Sequence, residues 1–401
     1  MLYILKIFGV IFFDSNDDNN MWQIVYSVIL FTTGIIMAIM SPYVVLEFDD
    51  WSKAFSTSMS LLICNTVNIS SLISRMVVIY NVKFKYQKFK TTLEGFEIYM
   101  PVNSVALKHI EYFSFTLIFL SMSIIIPING LKLYYILTNH TNPILLTTYF
   151  FFYYVHNFSM VCTELHFAIQ CFIVYTKFRD IIEKLIQINE EQNYYNYSVR
   201  YPFTASRMNP WRNNDTSPCD IMYEKDFYCS KDKISPLANI IELLRIKYWL
   251  TREAVNDLKG LFGFQMGLSI ICIGAASLID IYIEVFQSKA YTTFYKPVLR
   301  SKFLFIGWMF QYSLRFCNII ITAHYSTKQV VKIKKLITEM NNRYLDSSTK
   351  EELNLFYYQL SICLSEFTIF NIFTINNGII TSGMAAGSTY ILILVQIHSD
   401  K

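Results

Sequence analysis

The chain has 401 residues, of which 53% are hydrophobic and only 16% carry a charge, whereas soluble domains average about a quarter charged residues. This composition excludes an ordinary soluble protein and predicts an all-α polytopic membrane protein. The formal net charge of +4 is too small, and no basic tract is long enough, to predict nucleic-acid binding.

Apolar segments long enough to cross a bilayer recur along the chain and predict seven transmembrane helices. They lie at about residues 22–46, 55–80, 110–131, 144–175, 261–286, 303–325 and 375–397. Residues 1–21 include an apolar stretch that lacks the basic start and small-residue cleavage site of a signal peptide. We interpret them as a cytoplasmic N-terminal segment, with a cleaved signal as the alternative.

The connections between these segments predict the orientation. Those after the second and sixth segments hold more lysine and arginine than the short connections on the other side. By the positive-inside rule, the N-terminus is then cytoplasmic and the C-terminus extracellular. Asn139 begins a glycosylation sequon in a predicted outer loop, which agrees with this orientation.

The long connection 176–260 has helical patterns at both ends, at about 177–191 and 236–259. Its middle, residues 193–235, is polar and contains three prolines, so we expect it to be flexible. The stretch 352–373 predicts a further helix that leads into the last segment. Together these parts predict a cytoplasmic helical anchor bundle. The chain then divides into helices 1–4 (22–175), the loop 176–260, helices 5–6 (261–325), a cytoplasmic loop and anchor helix (326–374) and helix 7 (375–397).

No catalytic template is present, such as G-x-S-x-G, H-E-x-x-H or a phosphate-binding loop, so an enzyme is not predicted. None of the eight cysteines forms a C-x-x-C pair, and we expect reduced thiols. Cys162 and His166 lie one helical turn apart and could hold a metal, but no third ligand is apparent. We therefore favour core packing for both and predict no metal or cofactor.

Charges inside apolar segments need an opposite charge or water. Glu164 in the fourth segment is a candidate partner for Arg75 in the second. Arg315 in the sixth segment needs a partner too, and Glu366 is a candidate.

Aromatic and polar residues gather in the outer halves of the segments, where a ligand pocket would open. Aromatic faces with a few hydrogen-bonding groups suit a small ligand with polar and apolar parts. The candidate pocket residues are Asn129, Tyr153, His156, Asp280, Trp308 and Gln311. An interfacial aromatic belt is the alternative, which we prefer for Tyr149. For His156, Trp308 and Gln311, plain packing stays open.

The last segment carries a line of small and polar residues. Ser382, Thr389 and Gln396 are seven residues apart and share one helical face, where Ile393 interrupts the polar line. Because an amide in hydrocarbon is costly, this face must meet protein or water. From the pattern alone we favour a helix–helix contact seam over the wall of a pore constricted by Ile393.

A short motif lies in the same segment. Thr389-Tyr390, five apolar residues and Gln396-Ile397 resemble the TY-(five apolar)-QF signature that ends insect gustatory receptors, with Ile397 in place of the usual Phe. Looser similarity covers 355–359, 367–373, 376–378 and the overall length and helix count. The sequence is therefore identified as a member of the seven-transmembrane insect chemoreceptor superfamily.

This resemblance implies a multi-pass plasma-membrane receptor of sensory neurons that is a ligand-gated, non-selective cation channel for a small tastant, such as a sugar or a bitter compound. It also implies a homotetramer, or a heterotetramer with related receptors, in the lipid bilayer. Ser382, Thr389, Ile393 and Gln396 would then line the central pore, and without an acidic ring we expect weak selectivity among cations.

An odorant receptor-type channel is the nearest alternative. A G-protein-coupled seven-helix receptor is less favoured, because the orientation is inverted and neither an Asp-Arg-Tyr-like triplet nor Asn-Pro-x-x-Tyr occurs where that class has them. A transporter would normally show an internal repeat, and none is visible.

Overall fold

The protein is described by a computed structural model in which nearly all of the described residues are helical. The structure describes residues 20–48, 54–81, 85, 87–99, 104–139, 143–200, 236–282, 284, 298–343, 345–362, 366–370 and 372–399. The predicted N-terminal segment before residue 20, the loop 201–235 with Cys219 and Cys229, and the end of the predicted fifth span after residue 284 lie outside these residues.

Long helices dominate the described chain. In chain order the elements are α1 (Asn20–Phe48), α2 (Ala54–Asn81), α3 (Gln87–Tyr99), α4 (Ser104–Asn139), α5 (Pro143–Arg200), α6 (Pro236–Tyr282), α7 (Val298–Asn341), α8 (Ser347–Ile362), β1 (Thr368–Ile369), β2 (Phe373–Thr374) and α9 (Asn377–Ser399). The predicted spans fall, wholly or mainly, in α1, α2, α4, α5, α6, α7 and α9. Of the described parts, α4 to α7 contain stretches long and apolar enough to cross a membrane. The all-α membrane fold is thus confirmed.

Helix α5 is the centre of the bundle. All residues from 158 to 169 are buried, although a membrane helix at the periphery would leave one side to lipid. One side packs on α4 through Val161 and Leu165, and the ring of Phe167 packs on the ring of Phe262 in α6. Helices α4, α6 and α7 therefore surround α5, together with α1 and α2 nearer its start.

At one end of the molecule, the extensions of α5, α6 and α7 join α8 in the anchor bundle. Tyr248 of α6 is fully buried there, with its ring centroid 6.0 Å from Phe178 of α5 and 5.5 Å from Phe356 of α8. The predicted helical ends of the long connection are confirmed. Helix α5 continues to Arg200, however, so the first residues of the loop predicted to be flexible are helical.

Helix α3 was not predicted, because its segment is rich in lysine. It packs on α6 with its buried Phe89. Its buried Phe96 lies under the Lys177 ammonium of α5, and Lys88 donates a hydrogen bond of 2.9 Å to Asp257 of α6. This hydrogen bond and the charge attraction raise the pKa of Lys88. We refer to this end of the molecule as the anchor end.

The helix predicted for 352–373 is wrong in its second half. Helix α8 ends at Ile362, and the strands 368–369 and 373–374 form an antiparallel hairpin that pairs Thr368 with Thr374 and Ile369 with Phe373. The run Thr-Ile-Phe-Asn-Ile-Phe-Thr is rich in β-branched and aromatic residues, which favour strands. The last helix accordingly begins at Asn377.

Candidate functional site

A buried ion pair ties three helices together inside the membrane region. The Arg315 guanidinium of α7 donates to both carboxylate oxygens of Glu164 on α5, at 2.9 Å and 2.6 Å. It also donates to Asn157 Oδ1 at 3.1 Å, and Ser269 of α6 donates to Glu164. Such a two-bond pair with added hydrogen bonds is the arrangement in which a buried charge is tolerated.

This arrangement corrects both predicted pairings. Glu164 pairs with Arg315 rather than with Arg75, which lies near His156 instead. Glu366 precedes the hairpin and is exposed, so it does not serve Arg315. Pairing depends on which helices are neighbours, and the sequence does not specify that.

At the end of the bundle opposite the anchor end, which we call the distal end, polar groups of α4, α6 and α7 meet. Tyr312 donates a hydrogen bond of 3.0 Å to Asp280, and the Lys132 ammonium lies 5.3 Å from the ring centroid of Trp308. Lys132 is also close enough to Asp280 for electrostatic attraction. An acid, a base and two aromatic rings thus share one region, which we call the distal cluster.

Three other predicted pocket residues, Asn129, Tyr153 and Gln311, lie near this cluster. Asn129 of α4 is buried beside Ile128, which packs against Gly307 of α7. Tyr153 of α5 packs against Cys272 of α6 and lies close to Tyr312.

Gln311, one residue before Tyr312, is only 2% exposed. Within the described part of the chain its Oε1 accepts no hydrogen bond. A buried amide oxygen of this kind is a natural partner for a ligand or an ordered water.

The side chain of His156 points towards α1 and not towards the distal cluster. Its Nε2 lies 3.4 Å from Thr33 Oγ1 of α1, and Ser71 of α2 donates to its backbone carbonyl at 3.5 Å. The structure therefore separates His156 from the distal cluster. Tyr149 was predicted to belong to an interfacial aromatic belt. It is buried inside the bundle instead and accepts a hydrogen bond of 3.3 Å from Asn68.

In the part of the chain that the structure describes, no third metal ligand accompanies Cys162 and His166. Cys162 packs in the apolar contact between α4 and α5, while His166 is hydrogen-bonded to Gln170 at 3.0 Å. Among the described residues no group of three potential ligands occurs.

Helix α9 contacts the rest of the chain near its start. Ile379 and Ile380 pack on the main core, and a Cβ at Gly383 would lie 3.7 Å from Phe316 of α7. From Thr381 to Ile393, every residue except Gly387 and Ile391 is exposed. Ser382, Thr389, Ile393 and Gln396, the predicted pore line, are all among the exposed residues.

The sequence model of the 7tm chemosensory receptor family matches residues 1–401. The chain belongs to this family. The fold is similar to the insect olfactory receptor OR5 from Machilis hrabei, with a TM-score of 0.66 and 11% identity over 98% of this chain and 96% of that one. The same receptor in complex with eugenol gives a TM-score of 0.65 at 11% identity, with coverage of 98% and 96%. Comparison with curated protein sequences gives no match.

The receptor is a multi-pass plasma-membrane protein of a chemosensory family. Two members of its distal cluster were missed as site residues. Lys132 follows the apolar run 110–131, so it was counted with the loops, whereas α4 continues to Asn139. Tyr312 lies on α7 one turn before Arg315, and this spacing from an intramembrane charge was the available signal.

Proposed function

We propose that the receptor is a ligand-gated, non-selective cation channel of the gustatory type, which opens when a small tastant such as a sugar or a bitter compound binds. The observation that carries this proposal is the exposure of α9, an apolar helix of 23 residues with a polar line. A helix of this kind can face lipid on its apolar side. Its polar side favours water or another protein surface.

A closed assembly of four subunits supplies that surface. Around one axis, four copies of the line through Ser382, Thr389 and Gln396 face one another and border a path for ions. The Thr389 hydroxyl donates to Ala385 O at 2.9 Å within its own helix. Threonine is therefore compatible with either environment, and the exposed Gln396 amide is the stronger argument for water. Homotetramers and heterotetramers with related receptors fit equally.

The orientation that we propose has the anchor end in the cytoplasm and the C-terminus outside. Support comes from lysines at the anchor end, which are exposed just before and within α3 and on the extension of α7. They include Lys85, Lys88, Lys328, Lys332 and Lys335.

The distal cluster is the proposed ligand site. It combines the aromatic surface of Tyr153 and Trp308 with the charged groups of Asp280 and Lys132. Small-molecule sites in proteins have this character, mostly apolar with a few placed polar groups. A ligand with ring or chain carbons and one or more hydroxyl groups would use both.

An odorant-type ligand is the second candidate. It is favoured by the fold similarity to an olfactory receptor whose structure contains eugenol. The Thr389-Tyr390 to Gln396-Ile397 motif favours the gustatory type instead.

Cells that express this chain alone are expected to pass a cation current when a sugar, a bitter compound or eugenol from a test panel is applied, with G-protein signalling blocked. Ile393→Ala is expected to raise the ligand-free leak, because a smaller side chain weakens the apolar constriction. Whole-cell recording measures both. An antibody against a C-terminal tag on intact cells confirms surface expression and the proposed orientation.

Two results would contradict the proposal. One is a ligand response that vanishes with the G-protein block; the other is a tag that antibody reaches only after permeabilisation. If a sister receptor is required, the current appears only on co-expression and remains sensitive to Ile393→Ala.

The Tyr312→Phe variant tests the ligand site. It removes the hydroxyl that orients Asp280, and a hydrogen bond to a charged group contributes about 1.5–3 kcal/mol. We expect the ligand concentration for half-maximal current to rise by about tenfold or more. Tyr325→Phe, on the exposed side of the same helix, is the matched control and should leave the dose–response curve in place. If the dose–response curves of Tyr312→Phe and Tyr325→Phe coincide, Tyr312 does not belong to the ligand site.

A further inference from the structure

The hairpin 367–375 is the segment that joins the anchor bundle to α9. Beyond the strand pairing, Ile375 N donates to Phe367 O at 2.7 Å and Ile372 N to Ile369 O at 2.9 Å. Phe367, Ile369 and Ile375 are buried in the main core. The first turn of α9 begins two residues after Ile375, so the position of the hairpin sets where α9 starts.

Two glycines of α6, Gly263 and Gly267, form the surface on which the hairpin lies. A Cβ on Gly267 would overlap Ile369 Cγ2 and lie 2.6 Å from the Phe370 ring. A Cβ on Gly263 would lie 3.1 Å from the Thr368 carbonyl oxygen. Glycines four residues apart let another segment approach a membrane helix closely. Here that segment is the hairpin rather than a second helix.

The turn of the hairpin has an unusual backbone. Phe370 has a φ of 50°, in the left-handed region that residues other than glycine rarely adopt. Its ring contacts Phe264 of α6 edge-on, with centroids 5.2 Å apart. Such a conformation persists only where the surroundings fix it. The seat on α6 therefore defines the shape of the hairpin as well as its position.

The same turns of α6 also contact α2 and the buried ion pair. Gln265 donates to Ser74 O of α2 at 3.0 Å, and Ser269 donates to Glu164. Gly267 lies between these two residues in the chain. A displacement of α6 relative to α2 and α5 would therefore also move the hairpin.

We propose that Gly263 and Gly267 are positioning residues for the channel helix: the hairpin stays seated on them and carries movements of α6 to the first turn of α9. The proposal rests on the channel function proposed above. Because the hairpin moves with α6 as one body, the contact must persist in the closed and open states. Loss of the contact would uncouple α9 from the ligand site.

The position of α9 can be tested without a ligand. Ile379→Cys introduces a thiol in the half-buried first turn of α9, and its labelling by a water-soluble maleimide is measured on the full-length protein in membranes. We expect Gly267→Val to raise the labelling rate by about tenfold, because the first turn loses its support. Ser361→Cys, on the exposed face of α8, is the control and should be labelled at the same rate with or without Gly267→Val. An unchanged rate at Ile379→Cys would overturn the positioning role.

The coupling role is tested by a reversible crosslink. The overlap between a Cβ at 267 and Ile369 places these β carbons within disulfide range. The single variant Gly267→Cys is expected to lose ligand-evoked current by about tenfold, a size typical of coupling variants. In the double variant Gly267→Cys/Ile369→Cys, an oxidant applied to the cytoplasmic face of inside-out membrane patches should restore the current, and a reducing agent should remove it again. A defect in folding could not be switched in this way on receptors already in the membrane.

Current that falls on oxidation would show that the hairpin must leave its seat and would overturn the proposal. Current that is insensitive to the redox state of a confirmed crosslink would overturn it as well. A wild-type receptor without ligand-evoked current would instead contradict the channel function, and the labelling result would still decide whether the glycines position α9.

Discussion

The Arg315→Met variant is expected to lose most of its folded, surface-exposed receptor. Arg315 and Glu164 are both almost fully buried, and removal of one partner of a buried ion pair costs about 3–5 kcal/mol. That cost is a large part of the 5–15 kcal/mol, roughly, by which folded proteins are stable. The measurement is the thermal unfolding midpoint of detergent-solubilised receptor by fluorescence-detected size exclusion, together with surface biotinylation.

The variant Arg315→Met/Glu164→Met separates the unpaired charge from the loss of contacts. Apolar residues of similar volume often replace a buried ion pair at little cost. We therefore expect the double variant to recover most of the stability that Arg315→Met loses. Recovery should be incomplete, because Ser269 and Asn157 lose the groups to which they are bonded.

A matched control is the exposed pair Arg179–Glu183, which lies one turn apart on α5 with a 2.6 Å contact. Exposed pairs contribute less than about 1 kcal/mol because water and salt screen them. Arg179→Met should thus leave the unfolding midpoint nearly unchanged. A double variant as unstable as Arg315→Met alone would show that the lost contacts, and not the unpaired Glu164 charge, cause the instability.

Local properties of the chain were predictable and neighbour relations were not. The apolar runs predict the membrane helices because a bilayer demands about 20 apolar residues in a row. The partner of Glu164 is 151 positions away on α7, and nothing in either segment selects it over Arg75. The same limit applies to Tyr312 and Asp280, which belong to different helices.

Two elements were missed although the sequence contains a signal for each. In α3, Phe89, Leu93 and Phe96 follow the helical spacing, yet the surrounding lysines concealed it; the two phenylalanines are buried and Leu93 packs beside them. The hairpin was assigned to a helix because its strands are two residues long. Strands this short rarely form alone, and this hairpin packs Phe367, Ile369 and Ile375 into the main core, close to Gly263 and Gly267.

Among the candidate site residues, pattern and burial agree best for α9. The spacing of Ser382, Thr389 and Gln396 predicted one face, and in the single chain this face is uncovered. The sequence alone favoured a contact seam over a pore. Among the described residues Ser382, Thr389, Ile393 and Gln396 are exposed, which agrees with the proposal that other subunits or water meet this face.

The variant Thr389→Cys is expected to lose nearly all ligand-evoked current when a cationic thiol reagent is applied. In the proposed tetramer this position borders the ion path, so each modified subunit adds a bulky positive charge that blocks cations. The reaction should be faster with ligand present, because water enters the pore on opening. Recording before and after the reagent, and again after a reducing agent, measures the block and its reversal.

Met384→Cys is the control within the same helix. Met384 is 62% exposed and lies five positions before Thr389, so it is about 140° around the helix from the polar line. In a pore lined by Ser382, Thr389 and Gln396, a thiol at Met384 faces lipid or a neighbouring subunit, and the reagent should leave the current intact. If both variants are blocked equally, α9 does not present this face to the pore; if neither is blocked while the ligand still evokes current, ions pass along another path.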